Sequence, residues 1–226
     1  MISDKDTPSR FKGAIFDLDG VIVDTIPLHF EAWKKAFAEF GKSLTFEEYK
    51  ARVDGIPTKS GARAVLPDIS AEDLTRISST KQRYYLELLE QKGVLAYQST
   101  IDLIDELKAK GILVAVISSS RSCTVILEKS GLTDKFEAII GGNDITAGKP
   151  DPQIFLMAVQ KLGLNPSECV VIEDAALGVK AAKAGKFITI GIDHYKKPDR
   201  LNQADLVVED LKEIDFSALK NLFKKG

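Results

Sequence analysis

Four short stretches of this 226-residue sequence carry side chains able to do chemistry. Asp17 and Asp19 follow the apolar run Ala14-Ile15-Phe16, and Ser118-Ser119-Ser120-Arg121 follows the run from Leu113 to Ile117. Glu173-Asp174 follows Val170-Val171-Ile172, and Gly148-Lys149-Pro150-Asp151-Pro152 forms a loop that starts a helix, with Pro152 near its first turn. Asp17, Asp19 and Asp174 offer the hard oxygen ligands that Mg²⁺ prefers, which leaves coordination places for waters and a phosphate oxygen. One of these carboxylates can attack phosphorus. The metal and Lys149 can then offset charge on the transferring phosphoryl oxygens. Ser118 can hydrogen-bond another phosphate oxygen. Asp19, two residues past Asp17, is placed to protonate a leaving oxygen and later to activate an incoming hydroxyl. The chemistry such a set supports is phosphoryl transfer.

Each piece taken alone has a plainer reading. Aspartate commonly ends strands and starts turns. A serine run can cap a helix, and Glu173-Asp174 can favour the following helix through its dipole. Their joint occurrence, in this order and at successive strand ends, is what argues for a catalytic site.

The elements that must position these residues are legible as runs and periods. Ala14–Phe16, Leu113–Ile117, Ala138–Ile140, Val170–Ile172 and Phe187–Ile190, with Leu206–Val208 as a further edge, read as strands of a parallel sheet buried on both faces. Amphipathic stretches alternate with them: Ile101–Lys110, Cys123–Ser130, Pro152–Leu162 and Ala175–Ala184. This alternation predicts an α/β fold, a Rossmann-like doubly wound parallel sheet. In such sheets ligands bind beyond the carboxyl ends of the strands, so the polar residues there converge on one crevice. The segment 25–97 breaks the rhythm and shows only helical patterns, with Phe30, Trp33, Phe37 and Phe40 recurring on one helix face. It reads as a helical cap domain inserted after the first strand, the core comprising residues 1–24 and 98–226.

Composition narrows the partners. With 31 Lys and Arg against 33 Asp and Glu, the net charge of −2 offers no field for nucleic acid or an anionic membrane. No window approaches the roughly 18 apolar residues of a membrane-spanning helix. Met1–Lys12 is polar, without the apolar stretch of a signal peptide. The two cysteines, Cys123 and Cys169, suggest no disulfide framework, and two histidines are too few for a histidine-based metal site. A cytoplasmic protein, monomeric by default, is the expectation.

Phe16-Asp17-Leu18-Asp19-Gly20-Val21, Ile117-Ser118-Ser119-Ser120, Gly148-Lys149-Pro150-Asp151 and Ile172-Glu173-Asp174-Ala175 resemble, in order, the four motifs of the haloacid dehalogenase superfamily. The helical cap between the first two resembles that of the subfamily including β-phosphoglucomutases and many sugar-phosphate phosphatases. The resemblance implies Asp17 as the nucleophile that becomes aspartyl phosphate, and Asp19 as the general acid and base. It implies Ser118, Ser119 and Lys149 around the transferring phosphate. Mg²⁺ would be held by Asp17, Asp174 and the Asp19 backbone carbonyl, with Glu173 near or on the metal. Asp19 itself favours phosphoryl transfer over dehalogenation, because haloalkanoate dehalogenases in the superfamily lack it.

Cap and loop residues extend the resemblance to β-phosphoglucomutase, which converts β-glucose 1-phosphate to glucose 6-phosphate. His29 and Trp33 resemble that enzyme's first cap helix, and Lys81 resembles a cap lysine that touches substrate. Ser120 and Arg121 stand where the mutase meets the non-transferring phosphate. One departure is plain: Thr58 replaces the family's cap arginine, with Lys59 following as a substitute one residue later. Losing a bidentate donor weakens grip on a bisphosphate, so mutase and phosphatase both stand as readings. The expected partner is a small phosphorylated metabolite, a sugar phosphate. A broad-specificity phosphatase and a receiver-like phospho-acceptor module are the alternatives, the latter disfavoured by the paired aspartates and the cap. A dinucleotide-binding reading fails for want of GxGxxG after the first strand.

Overall fold

The computed structural model describes residues 10–54 and 56–224; most of the polar start, Met1–Ser9, lies outside them, as does Gly55. Six parallel strands make the main sheet, in the order β5-β4-β1-β6-β7-β8. These are β1 (Gly13–Asp17), β4 (Leu113–Ile117), β5 (Ala138–Ile140), β6 (Cys169–Glu173), β7 (Ile188–Ile192) and β8 (Leu206–Val208). Every residue of β1 and β6 is buried, which is why both read as continuous apolar runs rather than alternating ones. Register sets where the chemistry emerges. Asp17 pairs with Ile117 and Phe16 with Ile172, so Asp17, Ser118 and Glu173 leave three adjacent strands at the same end.

Helices α5 (Gln98–Ala109), α6 (Cys123–Ser130), α7 (Gln153–Leu162), α8 (Ala176–Ala184) and α9 (Phe216–Leu222) accompany the sheet. Helix α7 ends on Gly163 at φ 69°, a left-handed position that glycine adopts without steric cost. Its apolar face, including Ile154, Phe155 and Val159, joins Ile15, Ile117, Val171 and Phe187 in one core cluster. Cys123 and Cys169 are free and buried, and burial pushes the Cys169 thiol up to about 12. Both act as small hydrophobes.

The chain divides into two compact units, residues 1–22 with 96–226, and Val23–Leu95. The second unit is built from α1 (Ile26–Ala38), α2 (Phe46–Arg52), α3 (Thr58–Val65) and α4 (Ala71–Lys92). Pro27 opens α1, Thr45 and Glu48 form a reciprocal capping box on α2, and the Ser70 hydroxyl accepts from the Asp73 amide at 3.0 Å to start α4. Trp33, Phe37, Tyr49, Leu74 and Ile77 form this unit's own core. One feature departs from the all-helical expectation for this segment. Short strands β2 (Val23–Asp24) and β3 (Leu95–Ala96) make a two-stranded sheet. Two residues are too few to express an alternating pattern, and β3 is exposed, so no periodicity announces it.

Candidate active site

The site in the sheet unit begins where β1 runs out. The Leu18 amide donates to the Ile117 carbonyl at 2.9 Å, and the Ile22 amide turns back to the Leu18 carbonyl at 3.0 Å. Gly20 sits in this turn at φ 83°, and a Cβ there would collide with the Asp174 carboxylate. The glycine therefore serves two ends, the left-handed turn and the close approach of Asp174 from beyond β6.

Lys149 joins two strand ends. Its Nζ lies 2.6 Å from Asp17 Oδ1 and also pairs with Glu173 Oε1. The pair is nearly dry: the side chain of Lys149 is 10% exposed and that of Asp17 is 7% exposed. The loop holding Lys149 is braced by Gln153, whose Oε1 accepts from the Thr146 and Ala147 amides at 2.9 and 2.8 Å. Asp151 Oδ1 in turn accepts the Gln153 amide at 2.8 Å, and the Lys149–Pro150 peptide is cis. Glu173 Oε2 accepts from the Ala175 amide at 2.8 Å, fixing the carboxylate at the start of α8.

Ser118 is wholly buried; its hydroxyl donates to Asp19 Oδ2 at 2.6 Å and accepts from the Ser120 amide at 2.9 Å. Ser120 repeats the motif, accepting the Ser122 amide at 3.1 Å. Ser119 and Arg121 are exposed on the same turn.

Burial pushes the Asp17 carboxyl well above the ordinary carboxylate range, with Glu173 and Asp19 adding to the effect and Lys149 opposing it. Burial alone would lower Lys149, but the Asp17 and Glu173 carboxylates outweigh it and hold the ammonium charged. Lys149 thus pairs with two carboxylates, Asp17 and Glu173, while Asp19 bears on Asp17 and Asp174 approaches Gly20. These strand-end carboxylates are hard oxygen donors that outnumber the one lysine paired with them, and Mg²⁺ fits such donors in chemistry and charge. Among the described residues, no three such side chains converge on one point.

In the helical unit, His29 and Lys81 meet, with Lys81 Nζ 3.0 Å from His29 Nδ1. An ammonium only donates, so Nδ1 accepts and a neutral His29 carries its hydrogen on Nε2. The His29 ring stacks on Tyr85 with centroids 4.3 Å apart, and Lys81 lies over the same ring at 4.9 Å. Trp33 is buried and stacks on Phe37 at 5.0 Å, while Lys59 is exposed on α3. Two groups were not visible beforehand. His194, which carries no motif, places Nε2 2.6 Å from the Gly20 carbonyl. Gly178 leaves room for the Glu173 carboxylate, which an added Cβ would strike. A glycine in the first turn of a helix just after Glu173-Asp174 was the available signal.

That close approach yields a prediction. Replacing a helical glycine by alanine ordinarily favours the helix by up to about 1 kcal/mol. Gly178→Ala should instead lower the thermal midpoint, because the methyl displaces Glu173 from Lys149. A midpoint equal to or above that of the parent protein would show that Glu173 yields at no cost.

The profile of the haloacid dehalogenase-like hydrolases matches residues 14–192. A β-phosphoglucomutase from Bacillus subtilis is 32% identical over 222 residues, covering 92% of this chain and 93% of the relative. Hexitol phosphatase A from Escherichia coli is 31% identical, covering 94% and 97% respectively. The crystal structure of a β-phosphoglucomutase from Clostridium difficile superposes with a TM-score of 0.84 at 27% identity, covering 95% of this chain and 98% of that one.

Proposed function

We propose that this chain, which belongs to the haloacid dehalogenase-like hydrolase family, moves a phosphoryl group of a small sugar phosphate by way of Asp17. One observation carries the reading: Asp17 is a buried strand-end carboxylate paired with Lys149 at 2.6 Å, beside an Asp19 held by Ser118. Asp17 attacks phosphorus, the bond to the ester oxygen breaks, and Asp19 supplies the proton that the departing oxygen takes. In the second half Asp19 removes a proton from the accepting hydroxyl, whose oxygen displaces Asp17 from phosphorus. Lys149 and Ser118 offer their N–H and O–H groups to the transferring oxygens. The residues that would hold Mg²⁺ are Asp17, Asp174 and the Asp19 carbonyl, with Glu173 adjacent; when bound it supplies positive charge for the phosphoryl oxygens.

The finer reading is a β-phosphoglucomutase-like conversion of β-glucose 1-phosphate to glucose 6-phosphate, supported by the relative from Bacillus subtilis and by the paired His29 and Lys81. Hydrolysis of a sugar phosphate is the second reading. It is favoured by Thr58 in place of the cap arginine and by the likeness to a hexitol phosphatase. A single tube with β-glucose 1-phosphate, Mg²⁺ and a trace of glucose 1,6-bisphosphate tests both. Glucose 6-phosphate forming ahead of free phosphate supports the mutase, and free phosphate without glucose 6-phosphate supports the phosphatase. Absence of both, together with silence on a panel of other sugar phosphates, overturns the proposal.

A further inference from the structure

Immediately after Asp19, three successive backbone carbonyls are each tied by a different group. The His194 ring takes the Gly20 carbonyl at 2.6 Å, the Thr100 hydroxyl takes that of Val21 at 2.7 Å, and the Tyr97 amide takes that of Ile22 at 2.9 Å. A carbonyl only accepts, so His194 Nε2 must carry hydrogen here. The ring itself is held. It stacks on Tyr97 with centroids 5.3 Å apart and an interplanar angle of 18°, and Tyr195 meets it edge-on at 6.4 Å. Its backbone is anchored just past β7, where the Asp193 amide donates to the Val208 carbonyl at 2.8 Å and Asp193 Oδ1 accepts the Tyr195 amide at 3.1 Å.

Gly20 is the point where such a tie matters. With no Cβ and φ at 83°, its peptide has the rotational freedom that its neighbours lack. The peptide linking Gly20 to Val21 can turn unless something grips its carbonyl. Turning it would swing the segment leading back to Asp19. The ties on Val21 and Ile22 come from α5 and the residue preceding it and lie downstream of that pivot. His194 acts at the pivot itself.

We infer that His194 is a positioning residue, which fixes the Gly20 peptide and thereby the placement of Asp19 for proton transfer. The inference rests on the proposed role of Asp19. Small misplacements of a reacting group can cost about 10²-fold in rate, so a lost tether should register in kcat rather than in KM.

The test uses the full chain with p-nitrophenyl phosphate and Mg²⁺. His194→Phe keeps a flat ring to stack on Tyr97 but removes the donor. It should lower kcat about tenfold or more with KM changed less than about twofold. His194→Gln restores an N–H near the same place and should recover most of the loss. The thermal midpoint of His194→Phe, measured alongside, should differ little from that of the parent protein, since its ring still packs against Tyr97. Unchanged kcat in His194→Phe overturns the inference. So does an equal loss in both variants, since an N–H restored by glutamine would then recover nothing. Asp19→Ala, run in parallel, keeps the two levels apart. Loss of turnover there with a fully active His194→Phe removes only the positioning role, whereas retained turnover in Asp19→Ala removes the acid–base reading and the inference with it.

Discussion

Asp17→Asn should abolish turnover of phosphate esters, by a factor on the order of 10⁴ or more in kcat, without unfolding the protein. The amide matches the carboxylate in size but is a far poorer nucleophile toward phosphorus, and the covalent route closes with it. Folding survives because Lys149 keeps its second partner, Glu173. A carboxylate facing Glu173 and Asp19 is also removed, which relieves repulsion rather than creating it. The measurement pairs steady-state kinetics with a thermal melt. A folded Asp17→Asn protein that retains a tenth of the parent kcat would exclude Asp17 as the nucleophile.

Lys149→Met should have the opposite profile, with stability and activity lost together. The ammonium is the buried counter-charge for Asp17 and Glu173, whose side chains are 7% and 0% exposed. Removing one partner of a buried ion pair typically costs about 3–5 kcal/mol, because the remaining charge is stranded out of water. For a chain of this length that corresponds to a fall of roughly 6–20 °C in the thermal midpoint. The loss should depend on pH in a definite direction. Burial and neighbouring carboxylates already raise Asp17 while Lys149 opposes them, and without the lysine that opposition disappears. A raised carboxyl makes the folded state bind more protons than the unfolded one. The variant should therefore recover stability as pH falls toward the ordinary carboxylate value near 4 and lose it as pH rises above that value. Melts between pH 5 and 8 decide it, and a gap from the parent protein that stays constant or widens toward pH 5 would refute the stranded-carboxylate account.

Much of the fold was legible because buried parallel strands announce themselves as unbroken apolar runs. The runs at Leu113–Ile117 and Ala138–Ile140 coincide with β4 and β5 residue for residue, and the order of polar residues at their ends follows from the topology. Helix ends were less exact. The amphipathic reading began at Ile101, yet α5 starts at Gln98, because the polar first turn carries no apolar period. The gathering of Asp17, Lys149 and Glu173 was foreseeable only in outline. That Lys149 bridges two carboxylates depends on a loop braced by Gln153, and side-chain reach has no periodic signature. His194 was invisible for a related reason. Its partner is a backbone carbonyl 174 residues away, and backbone acceptors leave no trace in residue type. In the helical unit, the spacing of Trp33 and Phe37 pointed correctly to a packed face, but it says nothing of the His29–Lys81 contact, which joins separate helices.

The 2.9 Å hydrogen bond from the Tyr97 amide to the Ile22 carbonyl also bears on ancestry. It makes the points where the sheet unit gives up the chain and takes it back near neighbours, so everything from Val23 to Leu95 occupies a single interruption with a narrow doorway. Closing a loop costs free energy that grows only with the logarithm of its length. Lengthening, shortening or exchanging that interruption therefore perturbs the sheet little. A doorway of this kind lets the sheet unit be inherited intact while the inserted unit is rewritten.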